Sequence, residues 1–241
     1  MDISQFALHA AMEDRHWWFV GRREIVFEVL CRYVPPREGK HLLEIGCGTG
    51  GNLRFLRNHY HLTGLDSAGE AVRHARERVE CPILEGDFRL LFPERFAGVD
   101  VVLLADVLEH VADDERFLRD ILERLSPGGV LLLTVPAHDF LWSNHDLVLG
   151  HLRRYSRRQL LSLVERLPVE MVYRTCFNFF LLPLITLYRV LPQGKVRGSD
   201  LTLPWAPLNR LLCLLLRSEK LLLRWLPLPW GVSHLMVLIK K

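Results

Sequence analysis

Apolar residues are concentrated in short runs along the chain, separated by segments with apolar residues at helical spacing. The short, mostly apolar runs lie at 41–45, 99–105 and 130–135 and are typical of strands buried on both faces of a sheet. Residues 117–125 carry leucine and isoleucine at the spacing of one helix face. Alternating strands and helices favour right-handed crossovers, so the pattern predicts an α/β fold with a parallel sheet.

The two ends of the chain follow other patterns. Residues 3–33 are predicted to be helical, and Pro35-Pro36 ends that segment before the first strand. Residues 169–180 predict a further strand, and residues 232–239 predict a last strand that closes the sheet in antiparallel fashion. The predicted organisation is therefore an N-terminal helical segment (1–38), a core (39–180), a hydrophobic helical insertion (181–230) and the last strand of the core (231–241).

A glycine-rich turn follows the first predicted strand. Gly46, Gly48 and Gly50 let the backbone turn sharply and approach a ligand closely, because glycine has no Cβ. A helical pattern begins at Asn52, and the free N–H groups at its start offer a positive end to a carboxylate or phosphate. This combination predicts a pocket for a nucleotide-type cofactor.

Two cofactors compete for this turn. With Gly51, the glycine spacing fits the G-x-G-x-x-G of dinucleotide enzymes, which would indicate an NAD(P)-dependent oxidoreductase. Glu44, however, would repel a pyrophosphate and suits a cofactor with an ammonium group. Asp66 and Asp87 end the next two predicted strands, where they could bind ribose hydroxyls and an adenine amino group. Three acids at successive strand ends favour a cationic nucleoside over a phosphorylated one.

The segment Glu44-x-Gly46-x-Gly48-x-Gly50, with Asp66, Asp87 and Asp106-Val-Leu-Glu-His-Val111, resembles class I S-adenosylmethionine-dependent methyltransferases over roughly residues 40 to 135. The resemblance implies a Rossmann-like, seven-stranded, mainly parallel sheet that binds S-adenosyl-L-methionine at the carboxyl ends of its first strands. It also implies that the N-terminal helical segment is a lid over the cofactor; a helix simply packed on the sheet is the alternative. The expected cofactor-binding residues are Glu44, Gly46, Cys47, Gly48, Gly50, Asp66, Asp87, Phe88 and Asp106.

Composition narrows the possible partners and compartment. A chain of 241 residues fits one domain with additions, or at most two. The net charge of +3 gives no general affinity for nucleic acid, so we expect no nucleic-acid partner. Five scattered cysteines without a C-x-x-C pair favour a reduced compartment. Because the first residues lack the pattern of a secretory signal, the predicted location is the cytoplasm, with the inner face of the membrane as an option.

Asp106-Val-Leu-Glu-His110 follows a central strand, where the methyl group of the cofactor should point. Asp106, Glu109 and His110 resemble the acidic-His segment of ubiquinone-pathway O-methyltransferases. Such a cluster could act as a general base or hold a divalent cation. Alternatively, Asp106 and His110 contact only cofactor or backbone while Glu109 begins a helix favourably. We expect no metal here.

Residues 136–155 follow another central strand and are unusually rich in His, Asp, Trp and Arg, so we expect them to overhang the acceptor side of the pocket. With the Trp-Trp-Phe and Gly-Arg-Arg segment at 17–23, they resemble an uncharacterised methyltransferase subgroup, which implies a shared acceptor site.

His145 is the first candidate base for the acceptor proton, ahead of His110 and His151. The candidate substrate-binding residues are Trp17, Trp18, Arg22, Arg23, Arg153, Arg154 and Tyr155, the arginines as bidentate partners of an anionic group. The alternative makes His145 a loop residue and the arginine pairs solvated surface groups. The histidines of this segment lack the local spacing of a zinc site.

The insertion at 181–230 departs from a minimal methyltransferase. Its first apolar stretch is broken by Pro183 and is too short to span a bilayer, which needs about 20 apolar residues. Residues 209–226 predict a helix with a broad leucine surface. Basic residues at 210, 217, 220 and 224 suggest one cationic stripe along it, and tryptophans at 205, 225 and 230 flank it. This pattern suits a helix in a membrane interface, or one that roofs an apolar acceptor pocket; a helix packed in a dimer or domain core is the alternative.

The sequence thus predicts methyl transfer from S-adenosylmethionine, O-directed, to a hydrophobic acceptor that is a small molecule or a lipid, with an anionic group as one option. Two alternatives stay open: an NAD(P)-dependent oxidoreductase, and a membrane-associated protein that uses a methyltransferase fold without catalysis. The sequence leaves the oligomeric state open.

Overall fold

The computed structural model describes residues 3–36, 39–190 and 202–241 and contains one seven-stranded sheet. The strands are β1 (His41–Ile45), β2 (His61–Asp66), β3 (Ile83–Glu85), β4 (Val101–Ala105), β5 (Val130–Pro136), β6 (Val169–Phe177) and β7 (Ser233–Lys240). Their order is β3-β2-β1-β4-β5-β7-β6; β1 to β5 pair in parallel, and β7 is antiparallel to both of its neighbours. The predicted Rossmann-like, mainly parallel sheet with an antiparallel last strand is therefore confirmed.

Helices cover both faces of this sheet. They are α1 (Ile3–Met12), α2 (Trp17–Tyr33), α3 (Gly51–Leu56), α4 (Gly69–Arg78), α5 (Phe88–Leu91), α6 (Asp114–Arg124), α7 (Asn144–Leu149), α8 (Arg157–Val164), α9 (Leu182–Val190) and α10 (Ala206–Leu223). One buried cluster contains apolar residues of α2, α3, α4 and α10, and a second contains those of α5, α6 and α8. Each face of the sheet thus has its own core, as expected for a parallel sheet.

The N-terminal segment is not one continuous helix as predicted. It breaks after Met12, and His16 caps the start of α2 by accepting a hydrogen bond from the Trp18 N–H at 3.3 Å. Arg23 stabilises the break, because its guanidinium donates to the Glu13 carbonyl and, at 3.3 Å, to an Asp14 carboxylate oxygen. Helical periodicity alone does not reveal such a break, since both halves continue the same apolar pattern.

Helix α10 packs along α2, although almost the whole chain separates them. Leu216 fills the space over Gly21, where a Cβ would lie 2.5 Å from its side chain. Lys220 lies 2.8 Å from a Glu24 carboxylate oxygen, and Arg224 lies 2.6 Å from one of Glu28. Arg217 also pairs with Glu24, at 2.8 Å. Three of the four basic residues of the predicted cationic stripe therefore neutralise acids of α2.

The opposite face of α10 is apolar and open to solvent. Leu214 is 62% exposed and Trp225, just past the helix, is 84% exposed. Among the described residues, no helix combines the length and the apolar character needed to cross a bilayer. Residues 191–201 of the predicted insertion lie outside the described residues.

Candidate active site

A cavity of about 980 Å³ lies at the edge of the sheet where the parallel strands end. Its wall comes from the glycine turn after β1, the ends of β2 and β4, helix α2, residues 143–154, helix α9 and the start of α10. Pockets for small molecules commonly enclose about 300–1,000 Å³, so this cavity is at the upper end of that range. It has room for a cofactor and a second molecule beside it.

The glycine turn has the geometry that its sequence predicts. Gly46 has φ +75°, and a Cβ on it would lie 2.5 Å from the Val107 side chain, so only glycine fits without strain. The Gly48 N–H donates to Asp66 at 2.8 Å, and the Ala68 N–H donates to the other oxygen of that carboxylate at 2.9 Å. Asp66 is thereby fixed at the cavity wall at the end of β2.

Glu44 is a buried acid whose second carboxylate oxygen has no hydrogen-bond partner within the described parts of the chain. Its other oxygen accepts from the Asn52 amide at 2.6 Å. Burial raises the pKa of Glu44 to about 8. Since this residue lines the cavity, its unmatched oxygen is suited to a cationic group of a ligand.

Arg22 of α2 forms an ion pair with Asp106, which follows β4. Asp106 has φ +59°, and its other carboxylate oxygen accepts from the Thr134 hydroxyl at 2.9 Å. The pair joins α2 to the edge of the sheet directly over the cavity, because both residues belong to its wall. The Arg22 side chain therefore has a defined position and is not a solvated surface group.

Glu109, His110 and His151 come together beside Asp106 across about 40 residues of sequence. One ligand atom from each lies within 4.8 Å of those of the others, so the set could hold a divalent cation. Glu109 is fully buried, neither carboxylate oxygen has a hydrogen-bond partner among residues 3–36, 39–190 and 202–241, and burial raises its pKa well above the usual range. Burial also lowers the pKa of His110 to about 4. The sequence suggests Asp106, Glu109 and His110 as a possible cation site, where we expect no metal, and it does not reveal that His151 joins Glu109 and His110.

Asp146 is the buried centre of the network around the segment 143–154. It lies 2.9 Å from the Nδ1 of His151 and 2.8 Å from the guanidinium of Arg154, and Arg189 of α9 approaches to 3.6 Å. Burial acts to raise the pKa of Asp146, but the bond from His151 and the charge of Arg154 outweigh it and lower the pKa. Because Asp146 stays ionised, it accepts from the Nδ1–H of His151 and leaves Nε2 as the basic nitrogen.

Most of the predicted site residues are brought to this cavity, but several are not. The wall includes Trp17, Trp18, Arg22, Glu44, Gly46, Cys47, Gly48, Asp66, Asp106, His110, His145, His151 and Arg154. Gly50 has φ +84° and precedes α3, so it shapes the turn behind that wall. Arg23 is buried against backbone carbonyls, as described above.

Asp87 and Phe88, which the sequence predicts as cofactor-binding residues, do not line the cavity. Phe88 is 2% exposed and packs edge-on against Phe117 in the second core, so it does not face the cavity. Asp87 caps α5 by accepting from the Arg89 N–H at 2.8 Å and forms an ion pair with the same arginine. Neither belongs to the cavity wall.

Arg153 and Tyr155 also turn away from the cavity. Arg153 pairs with Asp114 at 3.0 Å, and the Tyr155 hydroxyl donates to the same carboxylate at 2.8 Å. Both line a separate surface pocket beside α8. The alternation of side-chain direction along an extended segment explains why Arg154, between them, faces the other way.

Several residues of the cavity wall were not predicted from the sequence, among them Asn178 and Arg189. Asn178 lies near the end of the stretch predicted as a strand (169–180), and Arg189 lies in the insertion interpreted as a membrane or pocket segment. Each is a polar residue among apolar neighbours in the sequence. A polar side chain in such a stretch is the available signal, because burying it without a purpose is unfavourable.

Comparisons with known proteins find methyltransferases among the relatives of this chain. A family model described as a methyltransferase domain matches residues 21–180. A probable S-adenosylmethionine-dependent methyltransferase from Mycolicibacterium smegmatis is 30% identical over 163 residues, covering 66% of this chain and 62% of the relative. A ubiquinone biosynthesis O-methyltransferase from Parvibaculum lavamentivorans is 32% identical over 158 residues, covering 61% of this chain and 62% of the relative. The chain thus spans about 62% of the length of each of these relatives.

A solved structure supports the fold. The chain is similar to a methyltransferase from Haloferax volcanii that was solved in complex with the Trm112 methyltransferase activator, with a TM-score of 0.64 and 22% identity. The similarity covers 99% of this chain and 95% of the other.

Proposed function

The chain belongs to the class I S-adenosylmethionine-dependent methyltransferases, and from this premise we propose that it transfers the methyl group to an oxygen atom of a hydrophobic acceptor. The observation that carries the proposal is the single large cavity, which joins the glycine turn and its acids to a wall of apolar side chains. The O-methyltransferase among the relatives supports oxygen as the acceptor atom.

The acids and glycines of the first strands suit S-adenosylmethionine. When bound, this cofactor supplies an electrophilic methyl group on a positively charged sulfur. The unmatched oxygen of Glu44 would accept from its ammonium group, and Asp66 would accept from its ribose hydroxyls. Gly46 and Gly48 allow the backbone to approach it closely. The Arg22–Asp106 pair keeps α2 over the cavity and helps to exclude water.

His151 is better placed than the other histidines to take the acceptor proton. Its Nδ1 is held by ionised Asp146, so its Nε2 is a base of fixed orientation at the cavity wall. His110 has a pKa of about 4, which makes it a weak base at neutral pH. His145 also lines the cavity. We place His151 first as the general base because its contact with Asp146 fixes its orientation.

The apolar part of the cavity wall suits the hydrophobic acceptor. Leu181, Leu184 and Ile185 come from the segment around α9, and Leu208 and Leu212 come from α10. The outer faces of the same two helices are exposed and apolar, which supports peripheral contact with a membrane at its cytoplasmic face. A small molecule or a lipid would fit such a wall.

The proposal is tested first by cofactor choice. Calorimetric titration with S-adenosylhomocysteine should show tight binding, while NAD and NADP should not compete. Tight NAD(P) binding without a response to S-adenosylhomocysteine would instead support the oxidoreductase alternative.

The transfer itself is tested with tritium-labelled S-adenosylmethionine and lipid and metabolite extracts, followed by mass spectrometry of the labelled product. Tight binding of S-adenosylhomocysteine without transfer to any component would support the alternative of a non-catalytic protein on this fold.

A further inference from the structure

Asn178 lies directly after β6, at the same edge of the sheet as the glycine turn, and its side chain lines the cavity. The residue is fully buried, yet neither its amide nitrogen nor its amide oxygen has a hydrogen-bond partner among the described residues. An unpaired buried polar group costs about 1–3 kcal/mol, and native proteins contain few of them. The pattern is that of a group whose partner is a ligand.

The backbone at this position is fixed independently of the side chain. The Asn178 N–H donates to the carboxylate of Glu219 on α10 at 2.6 Å, and the Phe180 N–H donates to its other oxygen at 3.0 Å. Asn178 has φ +62°, a conformation that asparagine tolerates better than most residues but glycine adopts freely. If the chain needed only the turn, glycine would serve without burying an unsatisfied amide.

Asn178 lies on the part of the cavity wall away from the glycine turn. β6 is the edge strand, and β7, β5 and β4 separate it from β1 and its glycine turn. Arg154, also on the cavity wall, likewise has a buried nitrogen, Nε, without a partner among residues 3–36, 39–190 and 202–241. The apolar residues of α9 begin only a few positions after Asn178.

We propose that Asn178 recognises the polar head of the acceptor, and that this head is a neutral group that both donates and accepts a hydrogen bond. A hydroxyl or a primary amide satisfies both atoms of the Asn178 side chain, whereas a carboxylate leaves its oxygen without a donor. The apolar part of the same molecule lies along α9 and the start of α10. This inference rests on the proposed function, because it assigns this part of the cavity to the acceptor.

The test uses two isomeric probes, decan-1-ol and methyl nonyl ether, of which only the alcohol has a hydrogen-bond donor. Their affinities are measured by calorimetry on the full chain saturated with S-adenosylhomocysteine, which prevents methyl transfer. We expect the alcohol to bind the natural protein about tenfold more tightly than the ether, as one buried hydrogen bond implies. Asn178→Gly keeps the backbone conformation and should abolish this difference.

Two further measurements separate recognition from a structural role. Asn178→Gly should keep its affinity for S-adenosylhomocysteine, and its Tm should stay the same or rise, since φ +62° suits glycine and the unpaired amide is gone. The matched control is His138→Gly, because His138 has φ +61° but does not belong to the cavity wall. This variant should retain the preference for the alcohol.

The inference is overturned if Asn178→Gly keeps the preference for the alcohol, or if the natural protein binds neither probe. Failure of the proposed function is a different result, the absence of S-adenosylhomocysteine binding in the same experiment.

Discussion

The Nδ1 of His151 lies 2.9 Å from a carboxylate oxygen of Asp146; both side chains are buried, and His151 belongs to the cavity wall. A buried carboxylate that fixes the tautomer of a histidine is a common device for general-base catalysis. The geometry arises only in the folded protein, since the four residues between the two include the end of α7.

Replacement of His151 by glutamine should lower kcat for methyl transfer by about 10²–10⁴, the usual contribution of a general base. The affinity for S-adenosylhomocysteine should stay unchanged, because His151 is assigned to the acceptor. The control His74→Gln changes a histidine of α4 that contacts Glu70, Arg73 and Glu77 of its own helix. Equal activity in both variants would remove His151 from the chemistry.

Cofactor binding should release a proton from Glu44. Its pKa of about 8 leaves it mainly protonated at pH 7, and a cationic ligand beside it favours the ionised form. Calorimetric titration with S-adenosylhomocysteine at pH 7, in buffers of different ionisation enthalpy, should therefore show release of up to about one proton. At pH 9 the carboxyl is already ionised and the release should vanish. Glu44→Gln should show no release from this group at either pH; an undiminished release in that variant would contradict the assignment.

Gly46→Ala should weaken cofactor binding at least about tenfold and destabilise the fold by ~1–3 kcal/mol, because it combines an unfavourable φ of +75° with a clash against Val107. The matched control is Gly98→Ala, which has φ +72° and no atom within 4 Å of the added Cβ. The control isolates the backbone cost from the clash. Urea denaturation and titration with S-adenosylhomocysteine measure the two effects, and equal losses in both variants would show that close packing at Gly46 is unimportant.

Leu214→Glu should abolish flotation of the protein with vesicles of phosphatidylcholine and phosphatidylglycerol. A charge at the centre of an exposed apolar helix face opposes insertion into the bilayer interface. Leu90→Glu provides the control, since Leu90 is 81% exposed on α5, outside that face. Flotation that survives Leu214→Glu would exclude this face as the membrane contact.

The sheet and the glycine turn could be predicted because their signals are local. Fully buried strands such as β4 and β5 are apolar at almost every position, and a tight turn with positive φ and no room for a Cβ, as at Gly46, requires glycine. The acids at strand ends follow from the same logic, because parallel strands end at one edge. For Glu44 and Asp66 this placement at the cavity holds.

Contacts between distant parts of the chain could not be predicted in this way. In the sequence, basic residues of α10 suggest a cationic surface stripe. In the structure, Arg217 and Lys220 form ion pairs with Glu24, and Arg224 forms one with Glu28. These two acids lie nearly 200 positions before their partners. Glu109 follows β4 and His151 follows β5. Their proximity depends on the paths of the two connections after these strands, which the sequence does not reveal. Phe88 shows that proximity in sequence can also mislead. It follows the predicted ligand contact Asp87, yet its side chain is buried in the core.

The packing of α10 against α2 also affects how the protein folds during its synthesis on the ribosome. Lys220 and its partner Glu24 are separated by 196 positions, so α2 lacks this contact until α10 has been synthesised. Until then α2 exposes the apolar side that α10 later covers, and it is expected to depend on chaperones for that interval. The ability to bind cofactor therefore arises only once α10 is in place, although the glycine turn that recognises the cofactor is made much earlier.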